Sequence, residues 1–522
     1  MLFIKRHLAD IAVLVIACLL YTCSTKSKKV VHPEEYKSLL FRSVLLYQTV
    51  EDGGVTRTIT WQAESTVVKD DHLEMYIPVI PVLEDRTRQV HIYIDKTISM
   101  PDSLPGTLIV PFANIDKIEV YDTDVGKVIF VTLGVIVLTF AVISLIILLT
   151  KESCPFIYAF DGEYWQFSGE IYSGAIHPPL ERHDYLPLPA VQAVDDKYKI
   201  KMTNEVHEIQ YTNLAELIVL DHPPGSEALI DKYGKAHTLT RQKTAERAVN
   251  LNGEDIRKKI INRDDIFYTG SDITRESHVL DEIFLTFDRP KETDTAKLVV
   301  RAKNSLWLDY IYGQLYTLFG DYYQDFQQTQ RSADPKQMEQ WSLDQGIPLS
   351  VYIEKNGKWH FVDYYHIAGP LAAKDDVLPL DLSGIGSDQV RIKLSYGLLF
   401  WEIDYVAMDF SSDIAVEKNI VTLRSAIDQN DQDVSGLLNA DDEEYQVLAQ
   451  IGDQVVLDFP VPALKSNYIR TTILHTKGHY TVLRDPRGTP DIAYLKSFRE
   501  PGRFLEFSKA KILEIYRRVG MN

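Results

Sequence analysis

The longest apolar stretch of the chain runs from residue 128 to residue 150 and contains no charged side chain. Lys127 and Lys151 border it. As a helix with a rise of about 1.5 Å per residue, this stretch would be roughly 34 Å long, which is enough to cross the hydrocarbon core of a bilayer. A core helix of this length would ordinarily keep a polar face. The pattern therefore predicts one transmembrane helix over residues 128–150.

Residues 1–23 have the pattern of an export signal or a signal anchor. A basic start precedes the apolar run Ile11–Leu20, which is too short to span a bilayer. The run ends at Cys23 ahead of a polar, lysine-rich stretch, which is similar to a bacterial lipoprotein signal and implies lipidation of Cys23. Because Tyr21 and Thr22 replace the small residues usual before that cysteine, an uncleaved anchor with an ordinary buried thiol is the alternative.

The basic N-terminus predicts a chain that starts in the cytoplasm. Two crossings would then place residues 24–127 outside the membrane and residues 151–522 in the cytoplasm. If residues 128–150 enter the membrane without crossing it, residues 151–522 are extracytoplasmic instead. The two flanking lysines balance each other and favour neither orientation.

Residues 32–125 contain short runs rich in β-branched and aromatic residues, partly alternating with polar ones, as in half-buried strands. The predicted strands are residues 59–63, 73–77, 90–94, 108–111 and 115–120. We expect a small antiparallel β barrel or sandwich beside the membrane helix.

The region after the membrane segment is expected to be mainly β, in three parts: 151–300, 301–415 and 416–522. An Asp161-Gly162 pair between aromatic runs predicts a tight hairpin. Two strands are predicted within 206–220 and a charged helix over 245–261.

Two amphipathic helices are predicted further along the chain. Apolar and aromatic residues within 306–326 recur at spacings of three and four, despite Gly313 and Gly320. The helix could offer an aromatic ligand platform, but packing against a sheet is the simpler interpretation. A second helix is predicted over 505–518 at the end of the C-terminal β part.

Residues 347–412 give the clearest strand pattern. Asn356-Gly357 between two alternating runs is a strong hairpin signal. A strand carrying Arg391 then precedes a strand with Trp401 and Asp404 in a Trp-x-x-Asp arrangement. This order resembles the closing strands of galactose-binding-like, or discoidin-like, β-sandwiches. The resemblance implies a jelly-roll-like sandwich, a fold whose members often bind sugars or lipids at loop ends, although fold alone does not fix function.

The stretch Cys154-Pro155-Phe156-Ile157-Tyr158-Ala159-Phe160-Asp161-Gly162-Glu163 resembles a group of uncharacterised bacterial membrane-anchored envelope proteins, through the pattern C-P-x-x-Y-x-F-D-G-E. The resemblance implies a cell-envelope location but no particular activity.

Composition excludes several classes of protein. With 45% apolar and 25% charged residues, the chain has globular proportions. Its net charge of −19 argues against nucleic acid as a partner. Two of its three cysteines lie in the first apolar segment, so neither a disulfide framework nor a thiolate metal site is expected.

The segment 431–442 has the register of an EF-hand or dockerin-type calcium loop. Oxygen-bearing side chains occupy loop positions 1, 3, 5, 9 and 12, with glycine at position 6 and an apolar residue at position 8. The predicted ligands are Asp431, Asp433, Ser435, Asn439 and Asp442. Ser435 is a weak ligand and Asp442 replaces the longer glutamate, so a solvated acidic turn is the alternative.

Acid–base chemistry has one further set of candidates. They lie in two short proline-rich stretches: His177, Glu181, His183, Asp184, Asp221 and His222. They could act together only if they converge in one pocket. No serine-hydrolase, zinc-protease, phosphate-loop or dinucleotide fingerprint occurs.

These observations predict a membrane-anchored cell-envelope protein that binds a carbohydrate or protein ligand, or acts as a scaffold, without catalysis. The alternative is a membrane-bound hydrolase that acts on an envelope carbohydrate or ester through carboxylate and His residues around 160–225. No catalytic residue or cofactor is assigned from the sequence, apart from the calcium loop.

Overall fold

The computed structural model describes residues 26–31, 44–52, 55–63, 65–77, 89–94, 98, 105–123, 155–271, 278–291 and 293–518. The chain divides into two compact units, Met1–Ser144 and Leu145–Asn522, called the N-terminal and C-terminal units below. The described part of the chain is mainly β with several sheets, as predicted.

Within these ranges, no helix is both long enough and apolar enough to cross a bilayer. The predicted transmembrane helix at 128–150 and the predicted signal at 1–23 with Cys23 lie outside the described residues.

The N-terminal unit contains two sheets that share one aliphatic core. Its strands are β1 (Lys26–Val31), β2 (Val44–Asp52), β3 (Val55–Ala63), β4 (Ser65–Val68), β5 (His72–Ile77), β6 (Gln89–Ile94), β7 (Gly106–Pro111) and β8 (Ile115–Thr123). One sheet has the order β1-β8-β6-β2-β3 and the other the order β4-β5-β7. The pairing is antiparallel except between β2 and β6. Leu46 and Ile92 of the first sheet and Met75 and Val110 of the second are fully buried in this core.

The C-terminal unit has twenty-one described strands and five described helices. Its first strands are β9 (Phe156–Phe160), β10 (Trp165–Glu170), β11 (Arg182–Pro187), β12 (Lys197–Thr203), β13 (Glu208–His222), β14 (Glu227–Ile230), β15 (Ala236–Leu239), β16 (Gln242–Thr244), β17 (Arg247–Asn250), β18 (Leu280–Asp288) and β19 (Thr295–Asn304). The helices α1 (Leu306–Thr317), α2 (Tyr323–Gln330) and α3 (Pro335–Asp344) follow. The remaining elements are β20 (Leu349–Lys355), β21 (Lys358–Tyr365), β22 (Lys374–Asp381), β23 (Gln389–Gly397), β24 (Trp401–Asp409), β25 (Glu417–Val421), β26 (Ser425–Asp428), β27 (Gln446–Leu448), β28 (Gln454–Pro460), β29 (Ile469–Val482), α4 (Ile492–Ser497) and α5 (Arg503–Arg518).

The described residues of this unit form four sheets, besides the β14–β15 hairpin. Sheet I has the order β10-β9-β12-β28-β26, and sheet II the order β11-β29-β13-β25 with β27 also paired to β13. Sheet III has the order β16-β24-β19-β22, and sheet IV the order β17-β18-β23-β20-β21. Sheets I and II use strands from both ends of the unit, whereas sheets III and IV are formed by the segment between them.

All four sheets contribute to one hydrophobic core. Buried representatives are Ile200 of sheet I, Leu217 of sheet II, Leu298 of sheet III and Ile392 of sheet IV. Along most strands buried and open positions alternate, as expected where one side of a sheet packs inward. This alternation leaves an accessible outer side on sheet IV, whereas the central strands β13 and β29 of sheet II are largely buried on both sides.

The five strands predicted within 347–412 are present as β20 to β24, and they divide between sheets III and IV. Asn356 and Gly357 both have positive φ and connect β20 to β21, which confirms the predicted hairpin turn. The resemblance to galactose-binding-like sandwiches stays a prediction.

The Asp161-Gly162 hairpin forms, but its turn is longer than predicted. Phe160 pairs with Trp165, so four residues separate β9 from β10. Gly162 has a φ of +99°. The carboxylate of Asp161 accepts hydrogen bonds from two backbone N–H groups inside the loop, which stabilises the wider turn.

The aromatic segment 306–326 is helical, as predicted, but it is interrupted between α1 and α2. Gly320 has a φ of +49°, and a Cβ there would lie 2.1 Å from the carbonyl oxygen of Gly488. The backbone N–H of Asp321 donates to that same carbonyl at 2.9 Å. A neighbouring loop therefore approaches the helix where only glycine fits, and the helix breaks there. The predicted C-terminal helix is confirmed as α5.

The predicted helix over 245–261 is wrong. This segment contains β17, which pairs with β18, and a short 3-10 turn over Arg257–Lys259. The side chain of Asn250 accepts hydrogen bonds from the backbone N–H groups of Asn252 and Glu254. This local turn, followed by Gly253 at a φ of +77°, competes with helix formation. The two strands predicted within 206–220 are likewise one strand, β13, with a bulge between Thr212 and Leu214.

The Trp-x-x-Asp pattern has a structural role in sheet III. Trp401 is buried and donates from Nε1 to the carbonyl of Ile347 at 2.9 Å. Asp404 accepts from Nε of Arg301 at 2.8 Å, so its arginine partner comes from β19 and not from β23. Burial, only partly offset by Arg301, raises the pKa of Asp404 to about 6.

Candidate functional site

One side of sheet II carries a row of polar and aromatic side chains. Alternation along β29 places His475, Lys477 and His479 on this side. Cross-strand pairing sets Tyr185 of β11 opposite His475 and Tyr211 of β13 opposite His479. We call this surface the imidazole face, and it comprises Glu181, His183, Tyr185, Tyr211, Glu216, Asp441, Tyr445, His475, Lys477 and His479.

Glu216, His475 and His183 form a hydrogen-bonded chain. His475 Nδ1 lies 2.8 Å from Glu216 Oε1, and His475 Nε2 lies 3.0 Å from His183 Nδ1. A carboxylate accepts hydrogen bonds, so His475 donates from Nδ1, and in its neutral form its Nε2 accepts from His183. The lone pair of His183 is then on Nε2, 4.0 Å from Asp441 Oδ2.

His183 is the solvent end of this chain, with 43% of its side chain exposed. Burial of its inner half lowers the pKa of His183, and the nearby His475 lowers it further. The exposed imidazole is therefore neutral near pH 7. In that state Nε2 can accept a proton or a hydrogen bond from a bound molecule.

Glu181 collects donors on the other half of the face. His479 Nδ1 lies 2.9 Å and Lys477 Nζ 3.2 Å from its two carboxylate oxygens, and Tyr445 donates as well. Burial alone would raise the pKa of Glu181, but these three donors lower it to about 2. Glu181 therefore stays negatively charged, and Lys477 links it to Asp441.

Two tyrosine–imidazole stacks hold the rings in place. The centroids of Tyr185 and His475 are 4.5 Å apart with an interplanar angle of 14°. Those of Tyr211 and His479 are 4.8 Å apart with an angle of 12°, and Tyr445 meets His479 edge-on at 5.4 Å. Rings that stack across neighbouring strands stand upright on the sheet. The polar atoms of these rings are largely engaged within the face, since both ring nitrogens of His475 and Nδ1 of His479 have partners there.

Asp184 follows His183 in sequence but lies on the opposite side of sheet II. Its Oδ1 accepts from Lys374 Nζ at 2.8 Å, and both side chains are nearly buried, at 9% and 11% exposure. Burial alone would raise the pKa of Asp184, but the charges of Lys374 and Arg182 lower it to about 2. This ion pair joins sheet II to β22 of sheet III.

A cavity of about 30 Å³ lies beside this ion pair. It is lined by residues of β11, of the β14–β15 hairpin and of the β21–β22 region, among them Lys232, His366 and Asp376. Such a volume has room for about two water molecules, whereas small-molecule sites are about 300–1,000 Å³. The two buried carboxylates Asp184 and Asp376 therefore do not form a substrate pocket.

Two further candidates from the sequence, Asp221 and His222, have partners outside the imidazole face. Asp221 is fully buried, and its two carboxylate oxygens accept hydrogen bonds from Nε and Nη2 of Arg470, at 2.6 and 2.7 Å. His222 lies within hydrogen-bond distance of the hydroxyls of Ser226 and Thr471. These residues therefore stabilise strand ends. Of the six candidates, Glu181 and His183 lie together on the imidazole face.

His177 is buried near the imidazole face. It is 5% exposed, and its ring meets that of Phe326 edge-on at 6.0 Å. Burial, together with the charges of His479 and Arg331, lowers the pKa of His177 to about 4. His177 is therefore neutral at pH 7 and packs as a core residue.

The predicted calcium loop is a turn between β26 and β27, and its eighth residue, Leu438, is fully buried as expected. Asp431 and Asn439 are exposed, and Asp433 Oδ1 accepts from the backbone N–H of Ser435 at 2.9 Å. Asp442 Oδ1 accepts from the backbone N–H of Glu444 at 3.0 Å. Among the described residues, no group of three or more His, Cys, Asp or Glu side chains is arranged to hold a metal ion. Calcium binding stays a prediction.

Sequence reasoning missed most of the imidazole face. Four of its residues were not selected from the sequence: Glu216, His475, Lys477 and His479. The last three form a His-x-Lys-x-His pattern, which places their side chains on one face of a strand. That spacing was the available signal. The pairing with β11 could not be inferred, because His183 and His475 are 292 residues apart.

Comparisons with known proteins identify no relative. No protein-family model and no curated protein matches the sequence. A cryo-EM structure of arabinofuranosyltransferase AftD from Mycobacteria aligns at 12% identity, with a TM-score of 0.17, over 80% of this chain and 32% of that chain. A structure from Sulfolobus Turreted Icosahedral Virus aligns at 8% identity, with a TM-score of 0.16, over 64% of this chain and 91% of that one.

An α-xylosidase from Xanthomonas citri aligns at 10% identity, with a TM-score of 0.16, over 80% of this chain and 36% of that chain. The chain thus spans about a third of the length of the transferase and of the xylosidase. Likenesses with such low TM-scores carry no argument about fold or function.

Proposed function

We propose that the protein is a membrane-anchored cell-envelope protein that binds a polar ligand, a carbohydrate or a protein segment, through the imidazole face. The observation that carries the proposal is the ordered row of imidazoles and tyrosines on one side of sheet II, with His183 at its solvent-exposed end. Its rings are fixed by stacking and by carboxylate partners, so little conformational freedom would be lost when a ligand binds.

Binding is favoured over catalysis by the shape of the site. His183 is exposed to solvent, and the cavity that it lines together with Tyr185 has a volume of about 30 Å³. Catalysis benefits from a larger concave pocket that excludes water. The membrane anchor in this proposal rests on the apolar stretch 128–150 of the sequence.

The proposal is tested in intact bacterial cells with a photo-crosslinking amino acid at position 183. We expect the full chain to resist alkaline carbonate extraction of the membranes and to form a covalent adduct on illumination. The matched control carries the crosslinker at Ile266, which is 55% exposed and lies outside the imidazole face. Release of the chain by carbonate, or equal adduct yields at the two positions, would contradict the proposal.

A second candidate function is ester hydrolysis, favoured by one observation: the chain Glu216–His475–His183 ends in a neutral, exposed imidazole. In that chain His183 Nε2 would take the proton from an attacking water, and His475 and Glu216 would stabilise the imidazolium that forms. Turnover of p-nitrophenyl acetate by the full chain would then fall to background in His183→Ala and be reduced about tenfold or more in Glu216→Gln. Equal rates for the wild type and His183→Ala would exclude this candidate.

A further inference from the structure

The outer side of sheet IV carries a second ordered surface, distinct from the imidazole face. Along β18 and β23 buried residues alternate with open ones, so one side of the sheet packs inward and the other is accessible. Consecutive cross-strand pairs form a first row across all five strands, made of Val249, Phe284, Lys393, Tyr352 and Phe361. A second row beside it contains Arg247, Thr286, Arg391, Glu354 and Trp359.

These two rows, which we call the aromatic face, form a band of defined size. Five strands spaced by about 4.8 Å give a length of roughly 19 Å, and the rows are about 7 Å apart. Phe361 is 49% exposed, and Tyr352, Trp359 and Phe284 are half-buried. The rings of Tyr352 and Phe361 meet edge-on at 5.5 Å, and those of Phe284 and Trp359 lie 5.8 Å apart.

The charges at the centre of the aromatic face are paired, and Arg247 lies at its edge, on β17. Arg391 donates to Glu354 at 2.6 Å, and Lys393 donates to Glu282 at 2.7 Å. The same two cations lie over rings: Lys393 Nζ is 4.5 Å from the Tyr352 centroid, and the Arg391 guanidinium is 5.7 Å from that of Trp359. The centre of the face is thus electrically neutral in a chain whose net charge is −19.

We propose that the aromatic face binds an uncharged polysaccharide that lies across the strands. Sugar rings present apolar C–H faces, which pack on aromatic rings, and hydroxyl groups, which both donate and accept hydrogen bonds. Arg391 and Lys393 supply donors, and Glu354 supplies acceptors, beside the rings. An anionic polymer would find no unpaired cation at the centre of the face and would be repelled by the acidic chain. The paired charges at the centre of the face therefore favour a neutral polymer.

A protein partner fits this surface less well. Protein–protein interfaces are depleted of Lys and Glu, whereas Lys393 and Glu354 occupy the middle of the aromatic face. The inference goes beyond the proposed function because it uses another sheet, another set of residues and a named class of ligand.

The experiment measures binding of the full chain, in detergent micelles, to immobilised polysaccharides by biolayer interferometry. The neutral probes are a β-glucan, a galactan, a mannan and an arabinoxylan, and polygalacturonate is the charged counterpart. We expect at least one neutral polymer to bind, with polygalacturonate at least tenfold weaker. Phe361→Ala and Trp359→Ala should each weaken the binding at least tenfold.

The matched control is Tyr164→Ala, because Tyr164 is 48% exposed and lies in the β9–β10 turn, away from sheet IV. Its affinity should equal that of the wild type. If Trp359→Ala fails to fold, Arg391→Gln serves in its place, because the Arg391 side chain is half exposed and its replacement disturbs the core less. Binding by none of the neutral probes, equal binding of polygalacturonate, or wild-type affinity in the Phe361 variant would overturn the proposal. Because Tyr211 lies on the imidazole face, Tyr211→Ala should leave polysaccharide binding unchanged. A failure of the proposal for the imidazole face can thus be told apart from a failure of the proposal for the aromatic face.

Discussion

The two sides of strand β11 differ in how firmly they are tied to the rest of the molecule. On the outer side, His183 is 43% exposed and ends a hydrogen-bonded chain at solvent. On the inner side, the next residue, Asp184, is buried and paired with Lys374 of another sheet. Two adjacent members of the same set of sequence candidates are thus placed on opposite sides of the strand by its pleat. The outer side is available for binding, and the inner side stabilises the fold.

The largest effect is expected from the inner side. Asp184→Asn removes the closer of the two carboxylates that pair with the buried Lys374 and leaves only Asp376, 3.3 Å away. The cost should lie toward the lower end of the about 3–5 kcal/mol of unfolding free energy that breaking a buried ion pair costs. Urea unfolding at pH 7 measures it. Lys374→Met should cost a similar amount, and the double variant should cost less than the sum of the two single variants, because the charges are coupled. Additive losses would show that the two side chains act independently.

The acid dependence of stability should come next in size. The pKa of His177 is about 4 in the folded protein, below its ordinary value of 6.5, so the unfolded chain binds a proton first as the pH falls. His177 therefore lowers the unfolding free energy between pH 6.5 and pH 4, by about 3 kcal/mol in all. The pKa of Asp184 is about 2 in the folded protein and 3.8 in the unfolded chain, so Asp184 lowers the unfolding free energy only below pH 3.8.

Urea unfolding at stepped pH separates these two contributions. The His177→Gln variant should reduce the slope between pH 6.5 and pH 4 and keep the fall below pH 3.8. Some slope should remain, because burial also lowers the pKa values of His183, His222 and His366. An unchanged slope in that variant would assign the loss to other histidines.

A smaller effect is expected at the centre of the imidazole face. His475→Gln removes the ring that stacks on Tyr185 and weakens the hydrogen bond to Glu216, at a cost of about 1 kcal/mol. Because His475 lowers the pKa of His183, that pKa should rise in the variant. NMR titration of the imidazole protons measures the change. A His183 pKa that is unchanged or lower would contradict the proposed chain.

The smallest effect should come from His183→Ala, the neighbour of Asp184. Its half-exposed side chain lies at the solvent end of the chain, so the unfolding free energy should change by no more than about 0.5 kcal/mol. This variant is the matched control for Asp184→Asn. A loss approaching that of Asp184→Asn would remove the distinction between the two sides of β11.

Local patterns in the sequence predicted local structure well. The Asn356-Gly357 turn requires two residues with positive φ, and that requirement is visible in the dipeptide itself. The helix predicted over 245–261 failed because one side chain, that of Asn250, closes a turn by bonding to nearby backbone N–H groups. Hydrophobic spacing carries no information about such a bond.

The candidate site was far less accessible to sequence reasoning. Glu181 and His183 were selected, but their partners His479 and His475 come from a strand almost three hundred residues away. Asp184, Asp221 and His222 looked equally suitable in the sequence, yet each has a buried structural partner. Only long-range strand pairing decides which of these residues meet.

The interleaved order of the strands has a consequence for how the chain folds. β13 pairs with β29, and β12 pairs with β28, across the whole segment that forms sheets III and IV. During synthesis that middle segment is complete before the last strands leave the ribosome, whereas β12 and β13 must wait with unpaired edges. We expect sheets I and II to close last and to form the slow, aggregation-sensitive step, in which a chaperone would have most to protect.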